Sequence, residues 1–183
     1  MTVINNLRKQ MQKTVDHLQN ELGTLRTGRA NPALLDRVTV NYYGTETPLS
    51  QMAAINAPEA RLINITPYDK TVIDAIEKAI IDSDLGLAPS NDGKMIRLNL
   101  PMLTEENRKE LTKVAKKMGE DQKIALRNER RSAIDELKKM EKEKEITEDD
   151  LKGYEKDVQD VIDEFVKKID EVVEAKMADI MEV

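Results

Sequence analysis

The residues in this chain best placed to do chemistry are cations. Lys116, Lys123, Arg127 and Arg130 recur at steps of seven, four and three, which on an α-helix sets all four along one face, with Lys117 and Arg131 one position round. Arg26 and Arg29, three apart, form a second pair early in the chain. The planar guanidinium fork grips a phosphate through two parallel hydrogen bonds, so arginine in both places suits a polyanion. Structural ends are served by the same pattern. A charged helix face is commonly just solvated, with Glu120 and Glu129 near enough to pair with it, and cations in a last helical turn complement the negative pole. What favours phosphate binding is that the helix carrying Arg26 and Arg29 is expected to run beside the one carrying the row.

Other chemistry finds little support. His17 is the only histidine and stands one residue from an apolar seam, where it reads as a partly exposed structural residue. Cysteine is absent, which removes disulfides, thiolate metal sites and a cysteine nucleophile together. Gly86 and Gly93 lie in an acidic turn, without the lysine or following helix of a phosphate-cradling loop. Tyr42 and Tyr43, adjacent on a strand, point to opposite faces and read as one core and one surface residue. These residues predict a protein that is not an enzyme and holds no metal or cofactor.

The net charge of −6 argues against a nucleic-acid partner until it is divided along the chain. Residues 1–30 carry +3, 31–104 carry −3, 105–131 carry +3 and 132–183 carry −9. Two basic segments side by side would give an acidic molecule one positive end, a geometry that orients it on a polyanion. No apolar run approaches the roughly 20 residues of a membrane span, and the first residues resemble neither a signal nor a transit peptide. A cytoplasmic protein with no membrane partner is expected.

Positioning those cations requires long helices. Residues 104–145 hold no proline and one glycine, Gly119, and read as one helix roughly 60 Å long, capped by Thr104 with Glu105 and Glu106 in its first turn. Its apolar contacts are sparse: Leu111, Val114, Ala115, Met118, Ala125, Ile134, Leu137 and Met140. Residues 3–27 place Ile4, Leu7, Met11, Val15, Leu18, Leu22 and Leu25 on one face of another helix. Thr147, followed by three acids, opens a last helix with a heptad-like seam from Leu151 to Ile180. Between them the texture changes. Strands are expected at 37–43, 61–66 and 94–100, a short helix at 71–82 and a loop at 85–93.

The predicted class is therefore α+β: an elongated antiparallel three-helix bundle from residues 1–30 and 104–183, into which a small α/β (β/α/β) domain, residues 31–103, is inserted. Two strands join them at Ala30, Asn31 and Pro32 and at Pro101, Met102, Leu103 and Thr104, and a double connection of this kind acts as a limited hinge.

Several motifs also carry a resemblance. Leu25-Arg26-Thr27-Gly28-Arg29-Ala30-Asn31-Pro32, Asp84-Leu85-Gly86-Leu87, Asn91-Asp92-Gly93, Pro101-Met102-Leu103-Thr104-Glu105-Glu106, Arg127-Asn128-Glu129-Arg130-Arg131 and Glu145-Ile146-Thr147-Glu148-Asp149-Asp150 together resemble the bacterial ribosome recycling factor family, collinearly over essentially the whole chain. The resemblance implies an L-shaped, transfer-RNA-like molecule. It implies binding to the large ribosomal subunit after termination, and ribosome splitting with elongation factor G, whose GTP hydrolysis drives release of messenger and transfer RNA. It assigns ribosomal-RNA contacts to Arg26, Arg29, Arg127 and Arg130, to which the helical row adds Lys116, Lys123 and Arg131. A monomer is expected. Ser132-Ala133-Ile134-Asp135 and Asn107 depart from the family pattern. The rival from another class is a coiled-coil scaffold or chaperone-like interaction protein, for which the arginines are only a solvated face.

Overall fold

A computed structural model describes residues 2–182. Its elements are α1 (Thr2–Gly23), the hairpin strands β1 (Thr39–Tyr42) and β2 (Thr45–Pro48), the single turn α2 (Leu49–Met52), β3 (Ala53–Glu59), β4 (Leu62–Pro67), α3 (Ile73–Asp82), β5 (Pro89–Asn91), β6 (Ile96–Asn99), α4 (Glu105–Lys142) and α5 (Glu148–Met181). The described residues divide into two compact units. One holds residues 2–22 and Thr112–Met177, the other Gly23–Leu111 and residues 178–182.

The first unit is a three-helix bundle. Thr14 of α1 meets Glu129 of α4, and Lys123 and Arg130 of α4 meet Asp170 and Gln159 of α5, so α4 runs antiparallel to α5. Leu7, Met11, Val15 and Leu18 of α1 are buried, as are Val158, Val161, Phe165 and Ile169 of α5. On α4 the buried residues are Ala115, Gly119, Leu126, Ala133 and Leu137, a seam at steps of four, seven, seven and four. Small residues on this seam let the neighbouring helix approach closely. A Cβ on Gly119 would lie 2.6 Å from Val173 Cγ2. The expected seam is offset in places: Val114 is exposed, while Leu126, immediately before Arg127, is fully buried.

Helix ends follow local chemistry. Thr104 Oγ1 accepts from the Asn107 amide, and at α5 the caps are reciprocal, Thr147 Oγ1 accepting from Asp150 N and Asp150 Oδ2 from Thr147 N. These bonds hold the Asp150 carboxyl below the usual range. By contrast α1 stops at Gly23 rather than continuing to residue 27. Leu25, expected on the seam, is only partly buried, and Arg26 and Arg29 lie in irregular backbone. Arg26 and Arg29 therefore lie beyond the last turn of α1 and do not serve its negative pole.

The second unit contains a four-stranded antiparallel sheet, order β3-β4-β6-β5, and the β1-β2 hairpin. Ile63 and Ile65 of β4, Ile96 and Leu98 of β6, and Ile73, Ile76 and Ile80 of α3 belong to one apolar core. The hairpin turns through Tyr43 and Gly44, both at positive φ, the two-residue geometry that matches strand twist. Three strands were not anticipated: β2, β3 and β5. β3 carries Pro58 and β5 carries Pro89, and both strands are sheet edges, where a missing N–H need not interrupt the ladder.

Candidate nucleic-acid interface

Within the bundle the α4 cations have three distinct environments. Lys116, Arg127 and Arg131 are exposed and make no side-chain hydrogen bond or ion pair among the described residues. Lys123 is different. Its side chain is only 16% exposed and its Nζ lies 2.6 Å from Asp170 Oδ1 and 3.2 Å from Glu120 Oε1. The Asp170 bond, reinforced by Glu120, raises its pKa. Lys123 is thus a clasp between α4 and α5, its charge already matched. Arg130 is exposed, and its Nη1 donates to the neutral Gln159 Oε1 at 3.0 Å.

Glu129 does not neutralise the row. It turns toward α1, where the buried Thr14 donates to its Oε1 at 2.6 Å. The sequence leaves the direction of Glu129 open because only the third helix decides which side of α4 is solvent.

In the second unit, Arg26 is half-buried. Its Nη2 donates to the Pro101 carbonyl at 2.6 Å, its Nε is buried without a partner, and burial lowers its pKa. Arg29 is exposed, with Nη2 3.4 Å from Glu182 Oε1. Two arginines not singled out by the pattern join Arg26. Arg61 and Arg108 line a cavity of about 230 Å³ with Arg26, Gly28, Pro101 and Leu103, and none of its lining residues is acidic. Arg108 Nε is also buried without a partner. Three arginines lining a space of that size, with no acid among its lining residues, make it a positively charged concavity. One signal in the sequence pointed to it: Arg108 is a cation in the first turn of α4, at the pole where acids are favoured.

The seven residues read as a hinge all belong to the second unit. Ala30 N donates to Ala60 O and Leu100 N to Arg61 O. Asn31 Oδ1 caps a 3₁₀ turn at Pro32–Leu35, Leu103 is buried and Met102 is 67% exposed.

The remaining candidates are structural. His17 pairs with Glu21, four residues on. Among the described residues no cluster of three or more potential metal ligands occurs. The turn before Gly93 is occupied by its own acid: Asp92 Oδ1 accepts from the Lys94 and Met95 amides and its Oδ2 from Arg97. Those bonds pull the Asp92 carboxyl down to about 2, and they use the amides an anion would need. Tyr43 is exposed and Tyr42 half-buried, their rings in edge contact at 4.6 Å.

The fold is a three-helix bundle with exposed, unpaired cations on one long helix, together with an α/β unit in which three arginines line one cavity. The family model for ribosome recycling factor matches residues 18–181. The Alkaliphilus oremlandii ribosome-recycling factor is 58% identical over 183 residues, covering 100% of this chain and 99% of that one. The Bacillus subtilis ribosome-recycling factor is 56% identical over 181 residues, covering 99% and 98%. Among solved structures, the solution structure of a ribosome recycling factor matches with TM-score 0.76 at 37% identity, covering 100% of this chain and 97% of that one. The T. thermophilus ribosome recycling factor, described with E. coli elongation factor G on the E. coli post-termination complex, matches at TM-score 0.67 and 44% identity, covering 99% and 98%. The chain belongs to the ribosome recycling factor family, whose members are non-enzymatic translation factors. Among the described residues no helix is long and apolar enough to cross a membrane.

Proposed function

We propose that this chain acts as a cytoplasmic monomer on the post-termination ribosome. It binds ribosomal RNA of the large subunit and, with elongation factor G and GTP hydrolysed by that partner, separates the subunits so that messenger and transfer RNA leave. The observation that carries the RNA-docking part is the set of exposed, unmatched cations on α4, Arg127, Arg131 and Lys116, in a chain whose net charge is −6. Cations left unpaired in an acid-rich protein are available to phosphates. Arg130 and the pocket of Arg26, Arg61 and Arg108 extend the contact, Arg29 exchanges Glu182 for phosphate, and Lys123 contributes chiefly by holding α4 to α5.

The working domains are residues 1–30 with 104–183, and 31–103, flexing about residues 30–32 and 101–104. Extended backbone at Asn31 (φ −134°, ψ 125°) and the irregular run 101–104 support that assignment. RNA holds the bundle while the elongation factor displaces the insertion. The test is splitting of purified post-termination ribosomes, which should require this protein, elongation factor G and GTP together. Splitting that proceeds equally without the factor or without GTP would contradict the mechanism.

A further inference from the structure

The α4 cations differ in how they are held, and the difference at Arg130 is chemical. Lys123 is held by two carboxylates and loses its value to an incoming anion, whereas Arg130 is held by an amide carbonyl, which orients a guanidinium and leaves its charge unmatched. The amide is itself held. Gln159 Nε2 donates to Asp163 Oδ1 at 2.9 Å, one turn along α5. An unrestrained amide can present either its oxygen or its NH₂ toward Arg130, and only the oxygen attracts it. By accepting from the NH₂, Asp163 keeps the oxygen turned to α4.

We propose that Gln159 and Asp163 of α5 are positioning residues for the RNA contact of Arg130: a carboxylate-to-amide-to-guanidinium relay that pre-orients the fork without neutralising it. This rests on the RNA-docking reading above. Pre-orientation matters because a free arginine side chain must lose its rotamer freedom when it binds, and a side chain already held loses less. The relay also makes α5, the most acidic segment of the chain, a contributor to polyanion binding through one neutral residue.

The test is binding of the full-length protein to purified large ribosomal subunits over a salt series, with helicity and Tm measured on every variant. Gln159→Ala should weaken binding about three- to fivefold in the wild-type background and have no effect beside Arg130→Ala. Gln159→Glu puts a carboxylate where the amide was. It should weaken binding further and make the slope of log affinity against log salt shallower by close to one charge, while Tm holds or rises through the new ion pair. The neutral Gln159→Ala, which adds no charge, separates the relay from the bulk effect of a new carboxylate. Asp163→Ala removes a negative charge, so bulk electrostatics predicts tighter binding to RNA and the relay predicts weaker binding. Wild-type affinity and slope in Gln159→Glu, a Gln159→Ala loss that persists beside Arg130→Ala, or equal or tighter binding by Asp163→Ala would each overturn the relay while leaving RNA docking in place. Wild-type binding by Arg130→Ala would instead remove Arg130 from the docking surface, and the relay with it.

Discussion

Gly119→Ala should destabilise the bundle even though it removes a glycine from the interior of a helix. Intrinsic propensity favours alanine there by about 1 kcal/mol. Against that gain stands the new Cβ, 2.6 Å from Val173 Cγ2 and 3.7 Å from Ile169 Cγ2. Valine in a helix is confined to essentially one χ1 rotamer, so its methyl has no ready way to swing aside. Overpacking of a core by one carbon costs about 1–3 kcal/mol. Offset by the propensity gain, the net loss should be about 0–2 kcal/mol. The assay is urea denaturation followed by circular dichroism, reading the midpoint at constant m. Val173→Ala supplies the control. It removes the clashing methyl and should cost about 1–2 kcal/mol by itself, but in that background Gly119→Ala should stabilise by about 1 kcal/mol. The reversal of sign is the signature of a steric contact. If Gly119→Ala stabilises both backgrounds equally, α4 and α5 are not in the close approach on which the Lys123–Asp170 and Arg130–Gln159 contacts depend.

Leu126→Ala and Arg127→Ala, neighbours in sequence, should separate cleanly. The first, fully buried, should cost about 2–5 kcal/mol of stability by denaturation; the second should leave stability within about 0.5 kcal/mol and weaken large-subunit binding in a salt-dependent way. Lys123→Met should cost under about 1 kcal/mol, because Asp170 is 54% exposed and screened. The folded-state pKa of Lys123 is raised, so the clasp's contribution is complete below the lysine's ordinary value and disappears as pH rises past the higher folded value; Tm of wild type and Lys123→Met should converge only in strong alkali. Asp92 behaves oppositely, its folded pKa being lowered to about 2. Its contribution is present above the ordinary aspartate value and lost as pH falls through 2, so the protection of the Lys94 and Met95 amides relative to their intrinsic exchange rates should fall across that window in wild type and already be low in Asp92→Ala at neutral pH. Thr147→Ala, which removes the side-chain half of the α5 cap, Thr147 Oγ1 accepting from Asp150 N, should cost about 1 kcal/mol by thermal denaturation.

The long helices were legible because amphipathic spacing over twenty or more residues is a strong signal, and the Thr104 and Thr147 caps are local chemistry. Leu126 was not assigned to the core because its neighbours are charged: a seam of Ala115, Gly119, Leu126 and Ala133 has little apolar mass, and only the close approach of α5 makes it a seam. The end of α1 was misread because Leu25 continues the apolar spacing past Gly23. The edge strands β3 and β5 show little apolar alternation and carry prolines, which are harmless where no partner needs the amide. At the candidate site, the row on α4 could be seen from spacing. Its division into free cations, the clasp at Lys123 and the oriented Arg130 could not, since each depends on which α5 residue lies opposite. Arg61 and Arg108 were missed because they join Arg26 only through the fold of the second unit.

The most direct measurement of RNA docking is the salt dependence of binding to purified large ribosomal subunits, wild type beside the double variant Arg127→Ala, Arg131→Ala. Both side chains are exposed and unmatched, so removing them should leave helicity unchanged. The slope of log affinity against log salt should become shallower by about two phosphate contacts. An unchanged slope and affinity in a fully helical double variant would contradict the assignment of α4 as the RNA-docking surface.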